Sequence, residues 1–436
     1  MKLFNFQKKI LNQVKDKNRV AFYVSMGCGK TFIGAEKLCQ LDKNLNLVIC
    51  QKSKINDWVS HFKTYYNYDL FDLTNKKDYI KFHDTYIENR ICFKIQYKCI
   101  AFINYELCFR RKDLLKLEGF TMLLDESSMI QNDSAKRTKF ILKMKAENVI
   151  LLSGTPTSGK YENLFSQIKL LGWNITKNIY WNQYVDYVLQ EFNGIKFRKV
   201  IGYKNVDRLK QKLKEHGAVF LTTEQAGIDL PESNDININV NCIPEYYKFI
   251  KNGIVSIGDT ELVGDTSLTK LLYSRMLCGH YNKMKLQSFR DLLNSTNDRI
   301  IVFYNFNSEL YAMEDVCIEL DKPTSIVNGE CKDLKCYEEF ENSVTFIQYQ
   351  AGAMGLNLQK ANKTIYFSLP LSSELFEQSK ARTRRIGQNK PCFYYYLICE
   401  KSVENKILET LQMRKDYNDR LFEQDFGGCK MKMFKV

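Results

Sequence analysis

The chain has 436 residues, and its 64 lysines and arginines against 50 aspartates and glutamates give a formal net charge of +14. Hydrophobic residues at 44% and charged residues at 26% are near the averages of globular proteins, which excludes a disordered chain and a collagen-like fibre. No apolar run approaches the roughly 20 residues that a membrane-spanning helix needs, and the first residues lack the apolar centre of a signal peptide. We therefore expect a cytoplasmic protein that does not enter a membrane and that contains roughly two to three domains.

Short apolar runs in the first third of the chain alternate with stretches of helical periodicity. The runs are continuous, which is typical of parallel strands that are covered on both faces. They predict strands at 20–26, 46–50, 99–105, 121–126 and 148–155. Because helical stretches such as GKTFIGAEKLCQL separate them, we assign residues 1–160 to a parallel α/β domain.

A second series of apolar runs begins near residue 299. It predicts strands at 299–306, 324–329, 344–350, 363–370 and 392–399. Helical segments separate these strands too, so we assign residues 291–436 to a second α/β domain with a C-terminal helix and tail. Residues 161–290 show more helical periodicity and contain no Pro-, Gly- or Ser-rich tether, which predicts a packed helical insertion between the two domains.

Fourteen cysteines are present, together with only four histidines. No two cysteines have Cys-x-x-Cys spacing, and several lie inside apolar runs, where a free thiol behaves as a small hydrophobic group. The pattern therefore predicts free thiols in a reducing cytosol and argues against a zinc site built by the protein.

The segment at 25–31, SMGCGKT, follows the first predicted strand and opens a helix. Glycines at this place let backbone N–H groups close on phosphate oxygens at the helix N-terminus. Lys30 would place its charge on the β- and γ-phosphates, and Thr31 would place its hydroxyl on Mg²⁺. A plain strand-to-helix turn is the alternative interpretation, since Val24 holds the place of the usual first glycine. We predict a nucleoside triphosphate site whose loop includes Gly27, Cys28 and Gly29.

Two carboxylates, Asp125 and Glu126, end the fourth predicted strand. The first could hold Mg²⁺, and the second could orient or deprotonate the attacking water. Capping of the next helix is the alternative. Combined with the phosphate loop, the pair predicts hydrolysis of a nucleoside triphosphate. The turn at 153–156, SGTP, ends the following strand and could respond to the γ-phosphate.

The motif at 378–388, QSKARTRRIGQ, places Arg382 and Arg385 three residues apart in a predicted helical stretch, hence on one helix face. The planar guanidinium suits the charge that develops on a transferring phosphoryl group. A solvated basic face or a contact with a phosphate backbone is the alternative that these residues alone leave open.

Taken in order, the motifs SMGCGKT, DESS, SGTP, YQAGAMGLNL and QSKARTRRIGQ resemble those of the helicase superfamily two ATPases. Within that superfamily the chain resembles the Swi/Snf-type translocases of double-stranded DNA, with the most specific likeness at 344–407. The resemblance covers about residues 4–410. It implies an ATP hydrolase that uses Mg²⁺, with two RecA-like lobes (parallel sheets flanked by helices) and a helical insertion between them.

The resemblance also implies roles for single residues. Gln7 matches the glutamine associated with adenine recognition, and Gly355 lies where the second lobe approaches the nucleotide. The resemblance implies that Gln378, which begins the arginine motif, contributes to nucleotide binding. Arg382 and Arg385 match arginine fingers. The segments that track the DNA backbone contain Lys52, Ser53, Tyr105, Ala351 and Gly352.

The sequence departs from the family pattern at three places. Val24 and Ser25 replace the acidic pair common before the loop, and Tyr349-Gln350 stands where Ser or Thr is common. Ser127 and Ser128 replace the usual Ala-His after the acid pair, which bears on how hydrolysis is coupled to DNA binding. The loop, the acid pair and the arginines are all present.

The resemblance favours ATP-driven translocation on double-stranded DNA, or remodelling of DNA–protein complexes. Binding through phosphates should tolerate any sequence and weaken with salt, so we expect a protein partner to supply specificity. Three alternatives stay open. They are a strand-separating DNA or RNA helicase, an ATP-gated nucleic-acid-binding module that does not travel, and a phosphate-loop enzyme without a nucleic-acid partner.

Overall fold

Two parallel β-sheets form the framework of the chain. The computed structural model describes residues 3–88, 98–192, 195–352 and 356–422. These residues divide into two units. The first contains the residues up to Ser25, Lys30–Thr222 and the residues from Lys415 on, and the second contains Met26–Gly29 and Thr223–Arg414.

The strands of the first unit form a seven-stranded sheet and a separate antiparallel pair. In chain order they are β1 (Arg19–Val24), β2 (Leu45–Cys50), β3 (Asp69–Asp72), β4 (Cys99–Asn104), β5 (Thr121–Asp125), β6 (Asn148–Ser153), β7 (Val185–Phe192), β8 (Ile195–Tyr203) and β9 (Ala218–Leu221). The sheet has the order β3-β4-β2-β5-β6-β1-β9, and every neighbouring pair in it is parallel. β7 and β8 form the antiparallel pair.

Among the described residues, nine α-helices accompany these strands. They are α1 (Asn5–Gln13), α2 (Lys30–Gln40), α3 (Ile55–Tyr65), α4 (Lys76–Phe82), α5 (Tyr105–Cys108), α6 (Lys136–Ile141), α7 (Phe165–Leu170), α8 (Lys177–Tyr184) and α9 (Val206–Glu215). β2, β4 and β6 are buried along their whole length. This explains their continuous apolar sequences, since a central parallel strand faces helices on both sides.

Two contacts fix helix α2, which carries the end of the phosphate loop. A Cβ at Gly34 would lie 2.7 Å from Leu152 Cδ1, so the glycine lets α2 approach β6 closely. The buried Lys37 Nζ donates to the carbonyl oxygens of Val14 and Lys15, at 2.7 and 3.1 Å. The lysine thereby satisfies carbonyl groups that follow the last turn of α1, which no intrahelical donor reaches.

The second unit contains a six-stranded parallel sheet and one antiparallel pair. Its strands are β10 (Ser233–Val240), β11 (Ile254–Ile257), β12 (Thr260–Val263), β13 (Ile300–Tyr304), β14 (Thr324–Val327), β15 (Val344–Gln348), β16 (Lys363–Tyr366) and β17 (Cys392–Cys399). The sheet has the order β10-β17-β16-β13-β15-β14, and β11 pairs with β12.

In the described part of the chain after residue 243 there are eight α-helices. They are α10 (Pro244–Asn252), α11 (Ser267–Cys278), α12 (Lys283–Asn294), α13 (Asn307–Glu319), α14 (Lys335–Glu339), α15 (Tyr349–Gly352), α16 (Ser373–Thr383) and α17 (Val403–Phe422). None of the described helices combines the length and the apolar character that a membrane crossing needs.

The fold class predicted from the sequence is confirmed. All ten predicted strands are present, and they occupy two parallel sheets flanked by helices, as expected for two RecA-like lobes.

The region 161–290 differs from the predicted helical insertion. It contains helices, but β9 belongs to the first sheet, β10 belongs to the second, and the units divide at Thr222. The hydrophobic pattern of the sequence did not predict these two strands, for different reasons. β9 has only four residues, and β10 is an edge strand whose exposed asparagines and aspartate interrupt its apolar residues.

Candidate active site

Three neighbouring strands bring the first group of predicted residues to one edge of the first sheet. β6 lies between β5 and β1, and all three run parallel. Asp125 is in register with Leu152, and Ser153 is in register with Tyr23. The carboxyl ends of the strands therefore place the acid pair, the turn at 153–156 and the phosphate loop side by side, which is where open α/β sheets bind their ligands.

The phosphate loop depends on the conformational freedom of its glycines. Gly27 and Gly29 have φ angles of +85° and +72°, in the left-handed region that L-amino acids rarely adopt. α2 begins at Lys30, so the N–H groups of its first turn lack intrahelical acceptors and face the loop. Lys30 Nζ lies 3.4 Å from the Val24 carbonyl oxygen, which keeps the ammonium over the loop. Thr31 is the next residue of that turn, and Cys28 is buried.

The acid pair is held by two aromatic side chains. Trp58 Nε1 of α3 donates to Asp125 Oδ2 at 2.9 Å, and the Tyr105 hydroxyl donates to the Asp125 carbonyl oxygen at 2.9 Å. Glu126 follows with φ +52° and ψ +65°, a left-handed conformation that is uncommon for glutamate. Such strained residues cluster at functional sites, where the surrounding contacts over-determine them.

Gln167 of α7 connects the acid pair to the turn at 153–156. Its Oε1 accepts hydrogen bonds from Ser127 Oγ at 2.8 Å and from the Tyr23 hydroxyl at 3.1 Å. Its Nε2 donates to the Pro156 carbonyl oxygen at 2.7 Å. The side chain is fully buried, so each of these bonds is made without competition from water.

Two of the residues predicted to track DNA in the first unit are accessible. Lys52 and Ser53 are exposed in a 3₁₀ turn, Lys52–Lys54, directly after β2. β2 is the neighbour of β5, so this turn lies at the same sheet edge as the acid pair.

The structure does not support a direct DNA contact for Tyr105. The side chain is 0% exposed, and its hydroxyl is committed to the backbone next to the acid pair. Burial also raises the pKa of the hydroxyl, so it stays a neutral donor. The sequence placed Tyr105 at the end of a strand at 99–105, but β4 ends at Asn104 and Tyr105 begins α5. Its side chain lies in the core, where a large aromatic ring gains more from burial than from exposure.

Gln7, the predicted adenine contact, lies in the first turn of α1. It is 2% exposed, and its Oε1 accepts the backbone N–H of Phe4 at 3.0 Å. This bond caps α1 and fixes the position of the amide group.

The arginine motif has a different geometry from the one expected. α16 ends at Thr383, so Arg382 lies on the helix and Arg385 lies beyond its end. The prediction that Arg382 and Arg385 share one helix face is therefore wrong. Arg384 is the C-cap residue of α16, with φ −87° and ψ 87°, and its Nε donates to the Pro231 carbonyl oxygen at 2.7 Å.

Arg385 is held by the segment after residue 355. Its Nη1 donates to the Asn357 side-chain oxygen at 2.5 Å and to the Leu356 carbonyl oxygen at 3.3 Å. Partial burial lowers the pKa of the guanidinium from its usual value. Gln378 lies on α16, 7% exposed, and its amide donates to Glu374 Oε1 at 3.3 Å.

The remaining predicted residues follow β15. Ala351 is buried in the short helix α15, and Gly352 ends that helix. Ala351 is 3% exposed as a whole residue, so the structure does not support a direct DNA contact for it. Gly355 lies outside the described residues.

Two residues at the site were not predicted, Trp58 and Gln167. Trp58 lies in the segment VICQKSKINDWVSHF, and a buried indole N–H requires an acceptor. Gln167 interrupts the apolar segment NLFSQIKLL, and a buried amide requires partners too. Each signal marks a polar group that needs a partner, but neither identifies that partner.

Comparison with known families agrees with these motifs. A family model described as the SNF2-related domain matches residues 12–280, and one described as the helicase conserved C-terminal domain matches residues 284–387. Together they include the phosphate loop, the acid pair and both arginines.

Curated relatives are similar along most of this chain. The "SWI/SNF-related matrix-associated actin-dependent regulator of chromatin subfamily A member 1" of Mus musculus is 22% identical over 454 residues, which cover 92% of this chain and 41% of that protein. The "ISWI chromatin-remodeling complex ATPase ISW1" of Saccharomyces cerevisiae is 21% identical over 475 residues, which cover 96% and 40%. The chain thus spans about two fifths of the length of these relatives.

A solved structure is also similar, with a lower sequence identity than these relatives. The "Sulfolobus solfataricus SWI2/SNF2 ATPase core in complex with dsDNA" has a TM-score of 0.45 and 19% identity, with 96% of this chain and 92% of that chain covered.

Proposed function

The chain belongs to the SNF2-related family of ATPases, and on this premise we propose that it couples ATP hydrolysis to movement along double-stranded DNA or to the remodelling of DNA–protein complexes. The observation that carries the proposal is the edge formed by β5, β6 and β1. It brings a phosphate loop, a pair of acids and the turn at 153–156 onto three consecutive strands.

The residues of that edge have distinct roles in hydrolysis. The backbone N–H groups around Gly27 and Gly29 bind phosphate oxygens, and the Lys30 ammonium neutralises charge on the β- and γ-phosphates. Glu126 orients the attacking water and accepts its proton. The left-handed backbone of Glu126 sets the direction in which its carboxylate leaves the strand.

A divalent cation fits the donor set at this edge. The Thr31 hydroxyl and the Asp125 carboxylate are oxygen ligands, which Mg²⁺ prefers, and Trp58 leaves one oxygen of Asp125 outside its hydrogen bond. We assign the holding of Mg²⁺ to these two residues. When bound, the cation would supply positive charge against the phosphate oxygens.

Two features of this chain support duplex DNA as the partner. The net charge of +14 favours a polyanion, and the exposed Lys52 and Ser53 lie at the sheet edge that carries the acid pair. Contacts of this kind are made to phosphates, so they position the nucleic acid without reading its sequence. Specificity for a target would then come from a protein partner.

The test is ATP turnover by the purified chain with no nucleic acid, with duplex DNA, with single-stranded DNA and with RNA. We expect duplex DNA alone to stimulate hydrolysis, and the stimulation to fall steeply as salt is raised. Stimulation by single strands would favour a helicase. ATP hydrolysis that no nucleic acid changes would refute the proposal.

Strand separation is the second candidate, and the pair β7–β8 is the observation that favours it. A helicase needs an element that parts two strands, which the sequence did not reveal. Exposed apolar residues occur on both strands of this pair, among them Leu189 at 69% and Ile201 at 62% exposed. If the pair separates strands, Leu189→Ser with Ile201→Ser should abolish unwinding of a forked duplex while ATP turnover persists. Wild-type protein that never unwinds a fork would dismiss this candidate.

A further inference from the structure

Three cysteines from distant parts of the sequence meet in the second unit. The Sγ atoms of Cys242, Cys278 and Cys399 all lie within 4.8 Å of one another. Cys242 and Cys278 are 36 positions apart in the chain, and Cys278 and Cys399 are 121 positions apart. Such long separations match no metal-binding spacing motif. Cys278 and Cys399 are 1% and 0% exposed, and Cys242 is partly exposed. We name this group the thiol cluster.

Regular elements hold the cluster in place. Cys399 is the last residue of β17 and is in register with Val240, the last residue of the neighbouring β10. Cys242 follows β10 by two residues, and Cys278 is the last residue of α11. The C-terminal end of a helix carries a partial negative charge and favours a cation nearby. Because two strand ends and one helix end converge, the thiols are preorganised by the fold.

A buried polar residue supports the cluster from behind. Asn282 is 0% exposed, and its Nδ2 donates to Cys399 Sγ at 3.2 Å and to the Asn241 carbonyl oxygen at 2.9 Å. Its Oδ1 accepts the backbone N–H of Met284 at 3.1 Å, at the start of α12. Outer hydrogen bonds of this kind orient the ligands in metal sites and are part of their affinity.

We propose that the thiol cluster binds one Zn²⁺ ion through Cys242, Cys278 and Cys399. Zinc–sulfur bonds of about 2.3 Å in a tetrahedral site place the sulfur atoms about 3.8 Å apart, so the thiols need to approach by no more than about 1 Å. Among the described residues, no fourth thiol, imidazole or carboxylate joins this group within the same distance. A water molecule on the accessible side of Cys242 completes the coordination.

Binding of Zn²⁺ to the three thiols releases their protons. Cys242 Sγ lies 3.3 Å from the Glu400 carbonyl oxygen and Cys399 Sγ lies 3.3 Å from the Cys278 carbonyl oxygen, so each sulfur has an acceptor for a thiol proton. Zn²⁺ displaces the thiol protons to solvent and takes the three thiolates as ligands, with no change of oxidation state. The ion would then connect the ends of β10, β17 and α11.

The experiment measures metal in the full chain, purified in reductant without chelator from zinc-supplemented cells. We expect about one equivalent of zinc, and a thiolate-to-metal charge-transfer band when Cd²⁺ replaces it. Zinc should protect Cys242, the partly exposed member of the cluster, from alkylation, as mapped by mass spectrometry of peptides. Cys242→Ser should weaken zinc binding by more than the roughly 10- to 100-fold that loss of an outer partner costs. This variant is chosen because Cys242 is the least buried of the three.

Cys331→Ser is the matched control, since Cys331 is an exposed cysteine of the same unit outside the cluster. We expect zinc to raise the melting temperature of the wild type. Cys331→Ser should retain full zinc content and show the same rise. The proposal fails if the reduced wild-type chain binds no zinc and gives no Cd²⁺ band. It fails equally if Cys242→Ser and Cys331→Ser bind zinc alike, or if the purified chain contains a disulfide within the cluster in place of metal.

Discussion

Ser127 Oγ donates a 2.8 Å hydrogen bond to Gln167 Oε1, and both side chains are fully buried. Ser127 directly follows the acid pair, and Gln167 also donates to Pro156 in the turn after β6. A single amide therefore connects the residues that would hold water and Mg²⁺ with the turn that would respond to the γ-phosphate. In a buried network of this kind, removal of one member leaves several groups without partners.

Replacement of Gln167 by leucine should impair both stability and catalysis. Gln167→Leu leaves the hydroxyls of Ser127 and Tyr23 and the Pro156 carbonyl without this partner, which costs about 1–3 kcal/mol or more of unfolding free energy. We expect turnover to fall by up to roughly 100-fold, since small misplacements of catalytic groups have that effect, while ATP affinity changes little. Denaturant unfolding and steady-state kinetics measure the two effects.

Gln211→Leu is the matched control, because Gln211 is an exposed glutamine whose amide bonds only with Glu215 four residues on. It should match the wild type in both measurements. A Gln167→Leu enzyme that is less stable but turns over normally would show that the amide has a purely structural role.

Trp58→Phe should alter the response to Mg²⁺. Phenylalanine keeps the ring but removes the N–H that donates to Asp125 Oδ2. The carboxylate then loses one of the contacts that orient it, so half-maximal turnover should require more Mg²⁺. A titration of ATP hydrolysis against Mg²⁺ concentration measures this shift.

Trp181→Phe controls for the change of ring, since Trp181 Nε1 is buried and has no acceptor among the described residues. Its Mg²⁺ titration should superimpose on that of the wild type. If Trp58→Phe also superimposes, the indole N–H does not orient Asp125 for the cation.

Glu126→Gln should separate ATP binding from hydrolysis. The amide has nearly the same shape as the carboxylate but cannot accept a proton from water, and loss of a general base typically costs 10²- to 10⁴-fold in rate. We expect ATP to bind normally and to persist unhydrolysed, as measured by equilibrium binding and by single-turnover chemistry. Turnover within a few fold of the wild type would remove Glu126 from the mechanism.

The buried ion pair of the second unit should matter for stability alone. Lys285 Nζ contacts both oxygens of Glu404, at 2.7 and 2.9 Å, and both side chains are shielded from water. Lys285→Met leaves the Glu404 charge buried and unpaired, which should cost about 3–5 kcal/mol. Lys285→Met with Glu404→Leu should regain most of that loss.

The exposed pair of Lys212 and Glu215 is the comparison, with a similar separation of 2.6 Å. Lys212→Met should change the melting temperature little, because water screens exposed charges. Equal losses from Lys285→Met and Lys212→Met would contradict the account of the buried pair.

Motifs that are contiguous in sequence could be predicted well. The phosphate loop and the acid pair each follow a continuous apolar strand, and parallel strands bring their carboxyl ends to one edge whatever the rest of the chain does. The local backbone then follows from residue type, as the left-handed conformations of Gly27 and Gly29 show.

Contacts between distant side chains could not be predicted. Trp58 and Asp125 are 67 residues apart, and the sequence around either residue does not indicate that the two side chains form a hydrogen bond. The same holds for the thiol cluster, where the sequence argued against a metal site. Arg385 shows a third limit, since α16 ends at Thr383, earlier than the helical pattern indicates, and Arg384 instead contacts Pro231, which lies 153 residues away in the chain.

The central claim is that this chain hydrolyses ATP with the help of Arg385 and that duplex DNA stimulates the reaction. Arg385 lies in the motif at 378–388 that resembles an arginine-finger motif, so Arg385→Ala tests the claim directly. Arginine fingers are worth roughly 10³- to 10⁵-fold in rate, and their charge acts mainly in the transition state. Arg290→Ala, which removes a partly exposed arginine paired with Glu319 in the same unit, is the control.

The decisive measurement is ATP turnover of the wild type, Arg385→Ala and Arg290→Ala at saturating duplex DNA, together with the ATP affinity of each protein. The account predicts strong duplex stimulation of the wild type and of Arg290→Ala. It predicts that Arg385→Ala binds ATP and DNA but stays slow at every DNA concentration. If saturating duplex restores Arg385→Ala to wild-type turnover, Arg385 contacts only the DNA backbone and the account is contradicted.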